Sequence, residues 1–189
     1  MRVLKLEGFC NGLLEIGWLS ALALTPLFFN PLSSRVFEQD KVALMRSVAL
    51  IMAVAWVIKL STGGNFRRQS LHHAWQSLSR FPLALPVTGL LVAYLISTLL
   101  SITPRISFWG SYTRMQGVYT LSAYLVIFAA IAAHLRRKEQ IERLVTVIVI
   151  TSWPVSLYGL MQRLNIDPLL WEQNPSTRII STMGNPIFM

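Results

Sequence analysis

The stretch VYTLSAYLVIFAAIAAHL, residues 118–135, carries no Asp, Glu, Lys or Arg. A charge-free run of this kind approaches the roughly 20 residues a helix needs to cross the hydrocarbon core of a bilayer. Lipid supplies no water to satisfy a bare amide, so the run is expected to bond its own backbone as a helix. Four more runs read the same way: residues 13–29, 42–60, 82–102 and 144–161. The expected fold is all-α, a polytopic transmembrane helical bundle with about five membrane-spanning helices and the start of a sixth. It is expected to form a single transmembrane domain over residues 1–189.

Composition agrees with that reading. Only 13% of residues are charged, 53% are hydrophobic and the mean hydropathy is +0.52. A water-soluble domain carries about 25% charged residues, so half that proportion cannot build a solvated surface of ordinary polarity. The net charge of +9 lies in short clusters between apolar runs. Anionic headgroups and membrane topology account for such clusters, and no basic groove interleaved with stacking aromatics points to nucleic acid. Cys10 is the single cysteine, so no disulfide forms within the chain. His72, His73 and His134 show no zinc-ligand spacing, and neither a metal nor a cofactor is expected.

The cationic residues set an orientation. Arg2, Lys5, Lys59, Arg67, Arg68, Arg80, Arg136, Arg137, Lys138 and Arg143 fall on one side. Arg35, Lys41, Arg105, Arg114, Arg163 and Arg178 fall on the other, and Arg46 lies within the second run. The richer side is expected in the cytoplasm, with the N-terminus inside and the segment after the fifth helix outside. Arg2 and Lys5 ahead of an apolar run resemble a signal peptide. Glu15 interrupts that run before Ala21-Leu22-Ala23, so an uncleaved membrane helix is expected.

Local signals refine the picture. Glu38 and Asp40 suit the positive N-terminal end of the second helix. Pro82 and Pro86 suit the first turns of the third, and Pro154 predicts a kink in the fifth. Lys138, Glu139, Glu142 and Arg143 read as a solvated turn with i,i+4 pairing. Glu15 and Arg46 are charges inside apolar runs; snorkelling to the nearest interface accounts for both more simply than a pair across mismatched depths. Asn185-Pro186 reads as an N-cap followed by a first helical residue. The chain is therefore expected to be the N-terminal part of a longer membrane protein.

Two outward segments hold the candidate chemistry. Residues 103–117 form a loop with Arg105, Arg114, Trp109, Tyr112, Gly110 and Gly117. Guanidinium presents a planar fork that matches phosphate, and the aromatics suit the bilayer interface. Residues 162–186 include a stretch around Asp167-Pro168 that is expected to lie along the interface, followed by Arg178. Arg114 and Arg178 are the candidate binding residues for an anionic, membrane-anchored substrate.

Several blocks resemble the O-antigen ligase and polymerase-like membrane proteins of bacteria. They are Trp18-Leu19, Pro26-Leu27-Phe28-Phe29-Asn30-Pro31, Arg35-Val36-Phe37-Glu38, Trp109-Gly110-Ser111-Tyr112-Thr113-Arg114-Met115-Gln116-Gly117, Tyr158-Gly159-Leu160-Met161-Gln162, Asp167-Pro168 and Arg178-Ile179-Ile180-Ser181-Thr182-Met183-Gly184-Asn185-Pro186. The resemblance implies a metal-independent glycosyltransferase of the bacterial inner membrane, concerned with lipopolysaccharide and other cell-envelope polysaccharides. Such a protein moves a glycan from undecaprenyl pyrophosphate to an acceptor at the outer face. It further implies that Arg114 and Arg178 hold the lipid pyrophosphate. The family's catalytic histidine lies in a large outer loop later in the chain, and no residue here corresponds to it. Ile187 stands where the family usually has asparagine. This stretch alone is expected to be inactive without a C-terminal region or partner membrane protein. The competing expectations are a small non-enzymatic membrane subunit or scaffold and a transporter fragment. The paucity of mid-depth polar residues argues against the transporter.

Overall fold

The computed structural model describes residues 2–30, 38–62, 83–112, 114–169 and 178–184. Arg35, Arg67, Arg68, His72, His73, Arg80, Pro82, Asn185 and Pro186, which carry parts of the sequence reading, lie outside the described residues. Those described are helical, with no strand among them. The helices are α1 (Arg2–Leu27), α2 (Glu38–Thr62), α3 (Ala84–Leu99), α4 (Pro104–Trp109), α5 (Val118–His134) and α6 (Lys138–Arg163), followed by a 3-10 turn at Ser181–Met183.

Three of these helices have the length and composition to cross a membrane, over Leu6–Leu27, Glu38–Lys59 and Lys138–Arg163. Two shorter apolar helices, Ala84–Leu99 and Val118–His134, accompany them. Only 28%, 28% and 17% of the three spans is buried within the protein. The remainder is apolar surface facing outward: Trp153 is 73% exposed, and Ile150 and Leu160 are also exposed. Water is a poor solvent for such a surface and lipid a good one, which sorts the chain among membrane proteins.

The helices outrun the apolar runs because their ends are polar turns with local support. Glu38 and Asp40 occupy the first turn of α2, as the dipole argument expects. The solvated turn at Lys138 proves to be the first turn of α6. Gln140 Oε1 there accepts the Arg136 and Arg137 amides at 3.1 Å each, and Lys138 pairs with Glu142 at 3.8 Å. The expected loop after the third run contains a short helix, α4, opened by Pro104 at a position where no amide hydrogen is needed.

The chain divides into two compact units. The first comprises Met1–Gly17 with Arg46–His134. In it, Phe9, Cys10 and Leu13 of α1 line an apolar groove with Leu50, Ile51 and Val54 of α2, while Gly17 lies against Met52. Helices α3, α4 and α5 contact one another in the same unit, and α5 buries Thr120, Ala123, Ile127 and Ala130, one stripe at helical spacing. At the end of α5, His134 Nδ1 lies 3.0 Å from the Ala130 carbonyl and therefore carries the proton. Nε2 is left to accept from Lys59 Nζ at 2.7 Å.

The second unit comprises Trp18–Met45 with Leu135–Met189. Helix α6 runs continuously through Pro154 and buries Thr151, Val155, Gly159 and Gln162, again one stripe. That stripe receives the 3-10 turn at Ser181–Met183.

The tightest test of this packing is Gly17. A β-carbon there falls within contact distance of the fully buried Met52 side chain. Gly17→Ala is expected to lower stability by about 1–3 kcal/mol through overpacking. Thermal unfolding in detergent measures it, and in a Met52→Ala background, where the clash is gone, the same change should cost much less.

Candidate functional site

Arg46 sits within the membrane-length part of α2 and is only 8% exposed. It does not snorkel, contrary to the sequence expectation. Its Nε donates to Thr120 Oγ1 at 3.0 Å, and its Nη2 donates to Thr120 Oγ1 at 2.7 Å, to the Trp109 carbonyl at 2.8 Å and to the Met115 carbonyl at 2.7 Å. Its guanidinium carbon lies 4.7 Å from the centre of the Tyr119 ring, inside cation–π range. The physical reason is proximity to better partners. A guanidinium within an apolar helix needs acceptors, and two loop carbonyls, a hydroxyl and a ring face are nearer than water.

Those acceptors are the two sides of a tight loop between α4 and α5. Gly110 adopts φ +89°, where a side chain is strained in any case, and a β-carbon there would strike the Met115 and Gln116 backbone. A β-carbon on Gly117 would meet the Gly110 nitrogen and the Phe108 carbonyl. The two glycines thus let the loop close on itself at its neck. Met115, with φ 51°, occupies the left-handed region despite its side chain. Its carbonyl is the one shared by Arg46 and Thr120, whose hydroxyl also donates to it. Phe108, Trp109 and Tyr119 form an aromatic cluster at the base, with centroids 5.3–6.4 Å apart. Beside the loop lies an open cleft of about 580 Å³ lined by Arg46, Arg105, Trp109, Ser111, Tyr112 and Met115 among others.

The second unit also fixes a polar segment with one buried polar side chain. Gln162 is fully buried. Its Oε1 accepts the amides of Ile180 at 3.2 Å and Ser181 at 2.8 Å, and its Nε2 donates to Asp167 at 3.2 Å. Tyr158 donates its hydroxyl to the Asp167 carboxylate at 3.0 and 3.1 Å, and the Leu169 amide donates to it at 3.0 Å. Ser181, at φ 47°, donates its hydroxyl to the Val155 carbonyl at 2.6 Å. Lys41 Nζ reaches the Thr182 carbonyl at 2.7 Å. Residues 178–184 therefore lie fixed on α6 and α2.

The two sequence candidates lie on these segments. Arg114 is exposed in the glycine-necked loop of the first unit, and Arg178 is exposed at the start of the anchored segment of the second. The side chains that hold these segments are Arg46, expected from sequence to turn toward an interface, and Gln162, to which the sequence assigns no site role. The signal was present: Arg46 falls in phase with the buried Val42 and Ala49, and Gln162 with the buried Val155 and Gly159. Among the described residues no group of three His, Cys, Asp or Glu side chains is placed to hold a metal ion. No family model matches the chain, and no curated protein and no solved structure matches it either.

Replacing Arg46 with Met keeps the bulk and removes every donor. The Trp109 carbonyl loses its charged partner, and stability is expected to fall by about 1–3 kcal/mol, with Arg46→Lys intermediate. Gln162→Leu strips the acceptor from two amides, for a similar loss. Hydrogen exchange at Ile180 and Ser181 should then accelerate, while Tyr158→Phe costs only about 1 kcal/mol.

Proposed function

We propose that this chain is the N-terminal membrane portion of a glycan-transferring protein of the bacterial inner membrane. It works on a substrate carried by undecaprenyl pyrophosphate, with Arg114 and Arg178 as its phosphate-gripping residues. The observation that carries the reading is a repeated one. Each unit presents an exposed arginine on an outward segment whose backbone a buried polar side chain fixes to a helix: Arg46 for the first, Gln162 for the second. Binding energy is gained cheaply when the group that grips is already held in place. Guanidinium matches a diphosphate by charge and by its planar fork. The blocks resembling O-antigen ligase-like proteins include both of these segments.

In this reading five helices cross the bilayer: α1, α2, α3, α5 and α6, with α3 and α5 the short members. The N-terminus is cytoplasmic, and the loops bearing Arg114 and Arg178 face outward. The chemistry of transfer, activation of an acceptor by a general base, belongs to a C-terminal region or partner. A second reading, a non-enzymatic subunit of a larger membrane complex, draws on α3, none of whose residues is buried.

Topology and binding test the proposal separately. With Cys10 replaced by Ala, single cysteines at positions 114 and 178 should react with a membrane-impermeant maleimide from the outer side only. Reaction from the cytoplasmic side alone refutes the orientation. Arg114→Ala and Arg178→Ala should each weaken binding of undecaprenyl pyrophosphate roughly tenfold, the weight of one charge-assisted hydrogen bond. Unchanged affinity in both refutes the assignment and leaves the subunit reading.

A further inference from the structure

We propose that the cleft between Arg46 and Arg105 is a binding site for a phosphate-bearing anion. The inference does not rest on glycan transfer; it applies equally if the chain is a non-enzymatic subunit.

Arg46 carries an uncompensated charge. Every described partner of Arg46 is neutral: a hydroxyl, two carbonyls and a ring face. Hydrogen bonds replace the guanidinium's lost water but do not neutralise it, and a lone cation in a poorly polar setting attracts an anion strongly. Nε and Nη2 are taken up within the protein, whereas Nη1 bonds to none of the described residues. Arg46 nevertheless lines the cleft. The same cleft is lined by Arg105, an exposed residue of α4 that makes no hydrogen bond or ion pair among the described residues. Among the described residues no carboxylate lines it. Two guanidiniums lining one cleft make its potential positive and favour an anion within it.

Size and surroundings narrow the ligand. A cleft of about 580 Å³ is too roomy for a halide and falls in the range of small-molecule sites. Two planar forks match the several oxygens of a phosphate. Trp109 and Tyr112, both exposed on the cleft, have the amphipathic character of residues at headgroup level. Arg46 lies eight residues into α2, roughly 12 Å along its axis at 1.5 Å per residue. The phosphate is either that of a lipid headgroup dipping beside α4 or a free phosphate from solution.

Arg105 is the residue to change, because it is exposed, whereas altering Arg46 releases the loop. The full chain is purified in detergent, and native mass spectrometry compares retention of phosphatidylglycerol with that of phosphatidylcholine. A parallel titration uses inorganic phosphate, followed by tryptophan fluorescence. The wild type should prefer the anionic lipid, and Arg105→Ala should lower its retention roughly tenfold. Arg105→Lys should fall between the two, and Arg143→Ala, a charge removed outside the cleft, should change nothing. Inorganic phosphate that binds and displaces the lipid identifies free phosphate as sufficient; lipid retained against it identifies the headgroup. Equal loss in Arg105→Ala and Arg143→Ala overturns the proposal. So does a wild type that discriminates neither lipid and binds no phosphate.

Discussion

A single guanidinium within α2 governs the loop between α4 and α5 in the first unit. An arginine at the centre of a membrane helix costs about 2.5–3.5 kcal/mol on insertion scales, so it is tolerated only where acceptors meet it. Arg46 meets them by drawing in the Trp109 and Met115 carbonyls and the Thr120 hydroxyl. The side chain is long enough to touch the end of α4, the far side of the loop and the first turn of α5 at once. No shorter polar residue on α2 spans that set. The path of residues 109–117, and with it the position of Arg114, follows from satisfying one cation.

The second unit solves the matching problem without a charge. Gln162 has both a donor and an acceptor, and it uses the acceptor on two successive amides and the donor on Asp167. In both units the residue caught by the anchor is itself in left-handed backbone: Met115 at φ 51° and Ser181 at φ 47°. Such conformations cost on the order of 1–3 kcal/mol and persist only where neighbours over-determine them. Here the over-determining neighbour is one buried side chain projecting from a long helix. The resemblance blocks at 109–117, 158–162 and 178–186 cover these anchored stretches. Shape as well as charge explains why their residues fall as they do.

The helices were the legible part of the fold, because a charge-free apolar run such as residues 118–135 has few alternatives to a helix. Their ends were less so. Helices α1, α2 and α6 extend past the apolar runs into polar turns, which hydropathy cannot see. The short helix Pro104–Trp109 was hidden inside a segment that reads as loop, since six residues give no period to detect. Exposure of Arg114 and Arg178 followed from their polar surroundings. The role of Arg46 did not, because its partners lie 63 to 74 residues away. Its phase with Val42 and Ala49 marks an inward face, but nothing local says which loop it gathers. Gln162 posed the same difficulty over 18 and 19 residues.

The glycine neck has a bearing on how this molecule can diversify. Gly110 and Gly117 bring the two strands of backbone together before the tip begins, and the Trp109 and Met115 carbonyls are already secured behind it. Ser111, Tyr112 and Arg114 hang from a closed eyelet. Lengthening a flexible eyelet is inexpensive, about 0.6 kcal/mol for each doubling, and the strain stays on its own side of the knot. Insertions at that tip can therefore alter what the protein touches while the buried scaffold stays unchanged, so variation and stability draw on different residues.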